Sequence, residues 1–283
     1  METIQNGARN ATPGTLSEVP AFPAIAVKAL QVISKERGQL QELSNLITSD
    51  VAISGGILRM ANSALFGVRI EISSVLHAIH MLGLERIKGV VVTIAMKSYL
   101  DGSLEVPALR ACWRHSLACA VVAEDLAKVG LLETDVAYTA GLMHDVGRLA
   151  LVAAYPAEYA DFLASAETEG CDVLQCERDL FGVDHCQAGH LLAARWNLPK
   201  MFLDVTARHH DPPVAGEPAI LAVVRRSCRM ADALGFSAVH SIQTRTYEEI
   251  LNDLPERERS RLPRDSSEFT HHIASKINPI ESV

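Results

Sequence analysis

The sequence predicts an all-α fold of two helical lobes, and three observations carry that expectation. Hydrophobic residues make up 48% of the 283-residue chain and aromatics only 5%, so the apolar content is Ala, Leu and Val without the alternating β-branched runs of a half-buried sheet. Apolar residues recur at helical spacing through most of the chain. Ser, Asp, Gly and Pro stand at the ends of those stretches, where helices start and stop. The length admits one large core or two smaller ones, and no low-complexity block interrupts it.

The net charge of −8 gives no general attraction to nucleic acid or anionic lipid, so neither is expected as a partner. Residues 1–10 are polar and lack the apolar core of a signal peptide, and the longest central apolar run, 90–96, is far short of the roughly 20 residues that span a bilayer. A cytoplasmic protein is expected. The six cysteines, Cys112, Cys119, Cys171, Cys176, Cys186 and Cys228, form no CxxC pair and lie mostly in apolar helical pattern, which reads as reduced, small core residues.

Residues 1–18, rich in Asn, Gly, Thr and Ser, are expected to form a flexible tail. The prolines of Val19-Pro20-Ala21-Phe22-Pro23 set an extended lead into a helix over 24–36, which Gly38 ends. A second helix spans 39–47, and Ser49-Asp50 caps a third over 51–61. Residues 62–67 form a turn. Ser73 or Ser74 caps a fourth helix to residue 82, Gly83 breaks it, and a long apolar helix follows over 84–100. The pair of helices around 42–60 resembles a helix-turn-helix, but its second member offers Ser54, Gly55, Gly56 and a single Arg59, too little positive charge to hold phosphates. His77 and His80 share a face of the fourth helix with no local carboxylate, and read as structural or surface residues.

Asp101-Gly102-Ser103 marks the boundary between lobes 19–102 and 103–240. The second lobe opens with a helix over 107–128, on which His115 shares an apolar stripe with Ala111, Cys112, Ala118 and Cys119. Next, 136–154 reads as one helix buried almost all round, with His144 and Asp145 inside it. Such polar groups need partners. Locally they could be Arg148 for Asp145, at i+3, and a carbonyl for His144.

A more polar helix follows over 157–169. Asp184 and Gln187 form a capping box that puts His185 in the first turn of a helix running to residue 196, where the helix dipole favours neutral imidazole. His190 points elsewhere. The helix over 200–210 ends at Asp211-Pro212-Pro213 and leaves His209 and His210 at its C-terminus. A last apolar helix over 219–235 carries Asp232 on the side of Arg225 and Arg229, which could answer its charge. Residues 241–283 are a charged extension whose final helix, 266–277, could pack on the core or hold a partner.

Together His115, His144, Asp145, His185, His209, His210 and Asp232 put five histidines and two carboxylates on helices of one lobe. Imidazole and carboxylate suit iron, manganese or another divalent ion, one or two of them, with Asp145 as a bridge.

The chain resembles the HDOD family, a branch of the HD superfamily of metal-dependent phosphohydrolases found in bacterial signalling proteins. The resemblance rests on Val19-Pro20-Ala21-Phe22-Pro23, Leu43-Ser44-Asn45-Leu46-Ile47 with Asp50, Leu58-Arg59-Met60-Ala61-Asn62-Ser63, Ala78-Ile79-His80-Met81-Leu82-Gly83 and the Gly-Leu-x-His-Asp-x-Gly element at 141–147. It implies an all-α, two-lobed domain over 19–240 and a regulatory role, because HDOD members mostly lack hydrolase activity.

Set beside the HD-GYP phosphodiesterases, which cleave cyclic di-GMP, the chain has matching residues at all seven candidate metal ligands. Arg148 stands where those enzymes carry a phosphate-facing lysine. Their Asp-Gly-x-Gly-Tyr-Pro signature is absent, since Asp211-Pro212-Pro213-Val214-Ala215-Gly216 follows His210. The expectation is therefore a signalling module with a metal site and a protein partner or nucleotide ligand, the alternative being a metal-dependent phosphohydrolase. Replacing Asp145 is expected to remove the metal, and replacing Arg148 to leave metal and stability nearly intact.

Overall fold

A computed structural model describes residues 23–33, 44–45, 47–62, 71–100, 103–130, 132–169, 172–239 and 245–282. The expected tail, most of the lead and second helix, the turn at 63–67, Cys171 and the boundary residues 101–102 lie outside them. Among the described residues no strand occurs and no helix is long and apolar enough to cross a membrane.

The first group of helices is α1 (Ala24–Ile33), α2 (Val51–Ala61), α3 (Val75–Leu82) and α4 (Leu84–Leu100). Asp50 caps α2 by accepting from the Ile53 N–H at 3.0 Å, and Ser74 caps α3 from His77 at 3.1 Å. Gly83 has φ +84° and separates α3 from α4 as the sequence predicts. Helices α1, α2 and α3 pack on α4 through Leu30, Ile57, Met60, Ile79 and Ile87, all buried. Gly56 faces Ile94 so closely that a Cβ there would lie 2.8 Å from its side chain, so α2 is a packing helix. His77 and His80 lie at or near the surface.

The second group is built on α5 (Pro107–Gly130), with α6 (Thr134–Met143), α7 (Val146–Ala154), α8 (Pro156–Glu169), α9 (Val173–Phe181), α10 (His185–Arg195), α11 (Lys200–Arg208) and α12 (Ala219–Ala233). Helix α4 packs on α6, joined by a buried ion pair, Lys88 to Asp135 at 3.5 Å, and by the Thr93 and Tyr138 hydroxyls, 3.0 Å apart. One expectation fails here. Residues 136–154 are two helices, because Asp145 leaves helical geometry (φ −104°, ψ 19°). The stretch is apolar on every side, so its periodicity carried no mark of the break; α6 packs on α5 and α7 turns to pack on α10.

The charged extension folds back as α13 (Tyr247–Asn252), α14 (Glu256–Arg259) and α15 (Ser266–Ser282). Helix α15 lies on α5 and buries Phe269, Ile273, Ile277 and Ile280. Lys97 of α4 donates to the Ile280 and Glu281 carbonyls at 2.8 and 2.9 Å, so this last helix holds both groups.

Candidate metal centre

Five elements deliver the polar residues. Helix α5 supplies His115 and Cys119, the break between α6 and α7 supplies His144 and Asp145, and the capped start of α10 supplies His185. The end of α11 supplies His209 and His210, and α12 supplies Cys228 and Asp232. The predicted capping box is formed, with the Gln187 N–H donating to Asp184 at 2.8 Å and the Gln187 side chain accepting from the Asp184 N–H at 3.2 Å.

Two glycines let these elements close on one point. A Cβ at Gly141 would lie 2.7 Å from the Cys119 carbonyl, and one at Gly147 only 1.8 Å from the His185 carbonyl. No side chain fits at such distances, so these glycines set the approach of α6 to α5 and of α7 to α10.

The histidines then share one arrangement. Nδ1 contacts the Phe236 carbonyl at 2.9 Å in His115, the Gly141 carbonyl at 2.6 Å in His144, the Glu177 carboxylate at 2.6 Å in His185 and the Thr206 carbonyl at 3.1 Å in His209. Each Nδ1–H thus donates to a protein oxygen, and Nε2 is left for another partner, as in metal-ligating histidines. The rings form a continuous chain: centroids are 5.3 Å apart for His115 and His144, 4.9 Å for His144 and His209, 5.4 Å for His185 and His209, and 4.5 Å for His209 and His210. Asp145 Oδ1 lies among them, 3.5 Å from His185 Nε2 and 3.7 Å from His209 Nε2.

The donors fit an ion on a structural criterion. His144 Nε2 and Asp145 Oδ1 are buried and have no hydrogen-bond partner, an arrangement that costs several kcal/mol unless something else satisfies them. His144, Asp145 and His209 bring ligand atoms within 4.8 Å of one another, as do His185, His209 and His210. This buried His/Cys/Asp group is one that could bind a metal.

Charges around it are balanced by Arg148 and by Glu177, the second of which sequence reasoning passed over. Asp145 Oδ2 is 2.8 Å from Arg148 Nε, the local pairing the i+3 spacing offered. Burial works against ionising Asp145, but Arg148 and then His185 outweigh it and hold the carboxyl well below its usual range. Glu177 of α9 is fully buried; it takes the Tyr159 hydroxyl at 2.5 Å and Arg148 Nη1 at 3.3 Å on one oxygen, and His185 on the other. Burial and Arg148 oppose a proton on His185, yet Glu177 and Asp145 push it up to about 9. The neutral ring expected from the helix dipole is therefore not the form this pocket favours on its own, since a contacting carboxylate outweighs a partial charge. His144 is held low by burial and remains a neutral donor.

Asp232 stands apart. Its Oδ1 is 3.5 Å from His115 Nδ1, on the side of the ring away from Cys119, and it joins none of the close ligand groups. Nor does it answer Arg225, which is taken by Glu217 at 2.7 and 2.9 Å. One turn earlier on α12, Cys228 occupies the inner position, 3.6 Å from His115 Nε2, and Cys119 lies 3.4 Å from the same atom. Among the described residues Cys112, Cys119, Cys176, Cys186 and Cys228 form no disulfide.

The HDOD domain family matches residues 19–212. An HDOD domain protein of unknown function from Geobacter sulfurreducens superposes with a TM-score of 0.70 at 24% identity, over 94% of this chain and 92% of its own. A chain from Shewanella amazonensis SB2B, provisionally named a phosphohydrolase, superposes with a TM-score of 0.65 at 21% identity, over 97% of both chains. At these identities the likeness is one of fold. An uncharacterized protein of Treponema pallidum (strain Nichols) is 24% identical over 204 residues, 71% of this chain; the chain spans 39% of that relative's length.

Proposed function

The chain belongs to the HDOD domain family, and from that membership and the geometry of the site we propose that it is a regulatory signalling module built around a divalent metal site. The observation that carries the reading is closure. His144, Asp145, His185 and His209 are at most 2% exposed, and Arg148, the residue matched to a phosphate-facing lysine, is spent on Asp145 and Glu177. Catalysis on a phosphodiester needs an open metal position and a free cation for the phosphate. Of the candidate ligands, His210 and Asp232 alone reach solvent.

Asp145, His185, His209 and His210, with His115, His144 and Asp232 around them, hold one or two ions, and these oxygen and imidazole donors suit iron or manganese. A bound ion would supply a fixed positive charge among the ends of α7, α10 and α11, where these residues stand. Around it, Glu177 orients His185, the helix-end carbonyls orient His144 and His209, and Arg148 keeps Asp145 ionised. The module acts in the cytoplasm through a protein partner, with a nucleotide as a further ligand.

A second reading, a metal-dependent phosphohydrolase, is favoured by Asp145 Oδ1 lying between two imidazole nitrogens, where a carboxylate could bridge two ions. Protein expressed with iron and manganese, analysed for metal and assayed with a generic phosphodiester and a cyclic dinucleotide, separates the two. Iron or manganese lost in Asp145→Ala, with no turnover, supports the module. Turnover at ordinary enzyme rates establishes the phosphohydrolase, and protein that takes up neither ion sinks both.

A further inference from the structure

Beside the His/Asp cluster lies a second donor set of different chemistry. His115 Nε2, Cys119 Sγ, His144 Nε2 and Cys228 Sγ all fall within 4.8 Å of one another, and all four residues are buried. His115 and Cys119 are one turn apart on α5, so both face the same way. Cys228 comes from α12 and His144 from the break after α6. A sulfur and an imidazole nitrogen bound to one tetrahedral zinc at about 2.3 and 2.05 Å lie about 3.6 Å apart. The two sulfurs stand 3.4 and 3.6 Å from His115 Nε2.

Both rings are held for ligation in the same way. His115 Nδ1 contacts the Phe236 carbonyl and His144 Nδ1 the Gly141 carbonyl, which leaves each Nε2 lone pair on the side of the sulfurs. His144 Nε2 has no hydrogen-bond partner there although the residue is fully buried. A small apolar core would put Ala or Val at positions 119 and 228; two thiols against two oriented imidazoles is the composition of a Cys2His2 site.

We propose that His115, Cys119, His144 and Cys228 bind one thiophilic divalent ion, zinc, as a closed structural site. Thiolates select zinc over the iron or manganese that oxygen donors accept. Four protein donors fill its coordination and leave no position for substrate. The ion ties α5, the α6–α7 break and α12 together, and Asp232 supports it from behind His115. The proposal deepens the metal reading above and shares the His115 and His144 imidazoles with it, but the two thiols, Cys119 and Cys228, belong to it alone. With His144 committed to zinc, the neighbouring site keeps Asp145, His185, His209 and His210.

Cobalt(II) is the probe, because thiolate ligands give it a charge-transfer absorption in the near-ultraviolet that histidine and carboxylate ligands do not. The full chain, stripped and reloaded with cobalt, is expected to show that band, and zinc should displace it at one ion per chain. Cys119→Ser and Cys228→Ser should each remove the band and lower zinc content, with Cys112→Ser, a buried thiol outside the group, unchanged. If a serine variant fails to fold, the wild-type spectrum decides. Cobalt bound without the band, with zinc retained in both serine variants, overturns the thiolate site and leaves the His/Asp reading standing. The band present with metal content unchanged in Asp145→Ala overturns that reading and leaves the thiolate site. No metal at all overturns both.

Discussion

Glu177 Oε2 lies 2.6 Å from His185 Nδ1 and 2.8 Å from the His185 backbone nitrogen, so one carboxylate oxygen fixes both the ring and the first turn of α10. A helix outside the predicted ligand set therefore decides where a predicted ligand points. Glu177→Gln keeps the size but turns one acceptor into a donor. Metal affinity should fall about 10- to 100-fold, the usual effect of losing such a support, with on the order of 1–3 kcal/mol of stability. Metal titration and thermal melting measure both, and an affinity within twofold of the parent would separate Glu177 from the site.

Arg148→Ala should be among the most damaging changes in the second group. Arg148 is 5% exposed and faces both Asp145 and Glu177, so its loss leaves two buried carboxylates with only the His185 and His209 rings to balance them. Breaking a buried pair in this way costs about 3–5 kcal/mol. The sequence-based expectation that replacing Arg148 leaves stability intact is thereby reversed. Denaturant unfolding checks it, and a midpoint equal to the parent's refutes it.

Glycine substitutions should have opposite signs at two places. Gly147→Ala drives a methyl into the His185 carbonyl and should lose about 3 kcal/mol or more, since backbone must move. Gly55→Ala, inside α2, meets nothing closer than Arg59 at 3.4 Å. It should gain about 0.5–1 kcal/mol from helix propensity. Paired thermal melts test both, and an unchanged Gly147→Ala would mean that α7 and α10 can part without loss.

The attachment of α15 should fail in acid. Asp125 on α5 lies 2.9 Å from Lys128, 3.5 Å from Lys276 and 2.9 Å from His272 of α15. Burial opposes its ionisation, but Lys276 and then Lys128 keep its carboxyl below the ordinary range. A depressed folded value means that the contribution is complete above the unfolded carboxyl range, about 3.9, and is lost as pH falls through the lower folded value. Asp125→Asn should lose on the order of 1 kcal/mol at neutral pH and converge with the parent in strong acid. Melts that run parallel at every pH would remove Asp125 from the attachment.

The helices, most of their caps and the gathering of six of the seven candidate ligands were legible because each leaves a local mark. Asp50 and Asp184 precede apolar runs, and His144-Asp145 interrupts one. Glu177 left none, since it sits in the polar run Gln175-Cys176-Glu177-Arg178-Asp179 like any solvated carboxylate, and only the tertiary fold brings Arg148 of α7, Tyr159 of α8 and His185 of α10 to it. Cys119 was visible on the His115 stripe and read as packing. Cys228 needed the pairing of α12 with α5, a contact between residues more than a hundred positions apart, and Asp232 drew attention one turn too late. The break at Asp145 was hidden because both of its helices are apolar all round.

That break also gives the two residues a direction. His144 closes α6, where unpaired carbonyls point outward, and Asp145 opens α7, where unpaired N–H groups do. Each residue thus sits at the helix end of opposite polarity to its own charged form, His144 in contact with the Gly141 carbonyl and Asp145 without a capping hydrogen bond. Reversing the dipeptide with His144→Asp and Asp145→His preserves composition, net charge and volume, but sets a carboxylate against carbonyls and an imidazolium against N–H groups. At this point in the chain the two residues are not exchangeable letters of a ligand list, because the backbone reads them in one order.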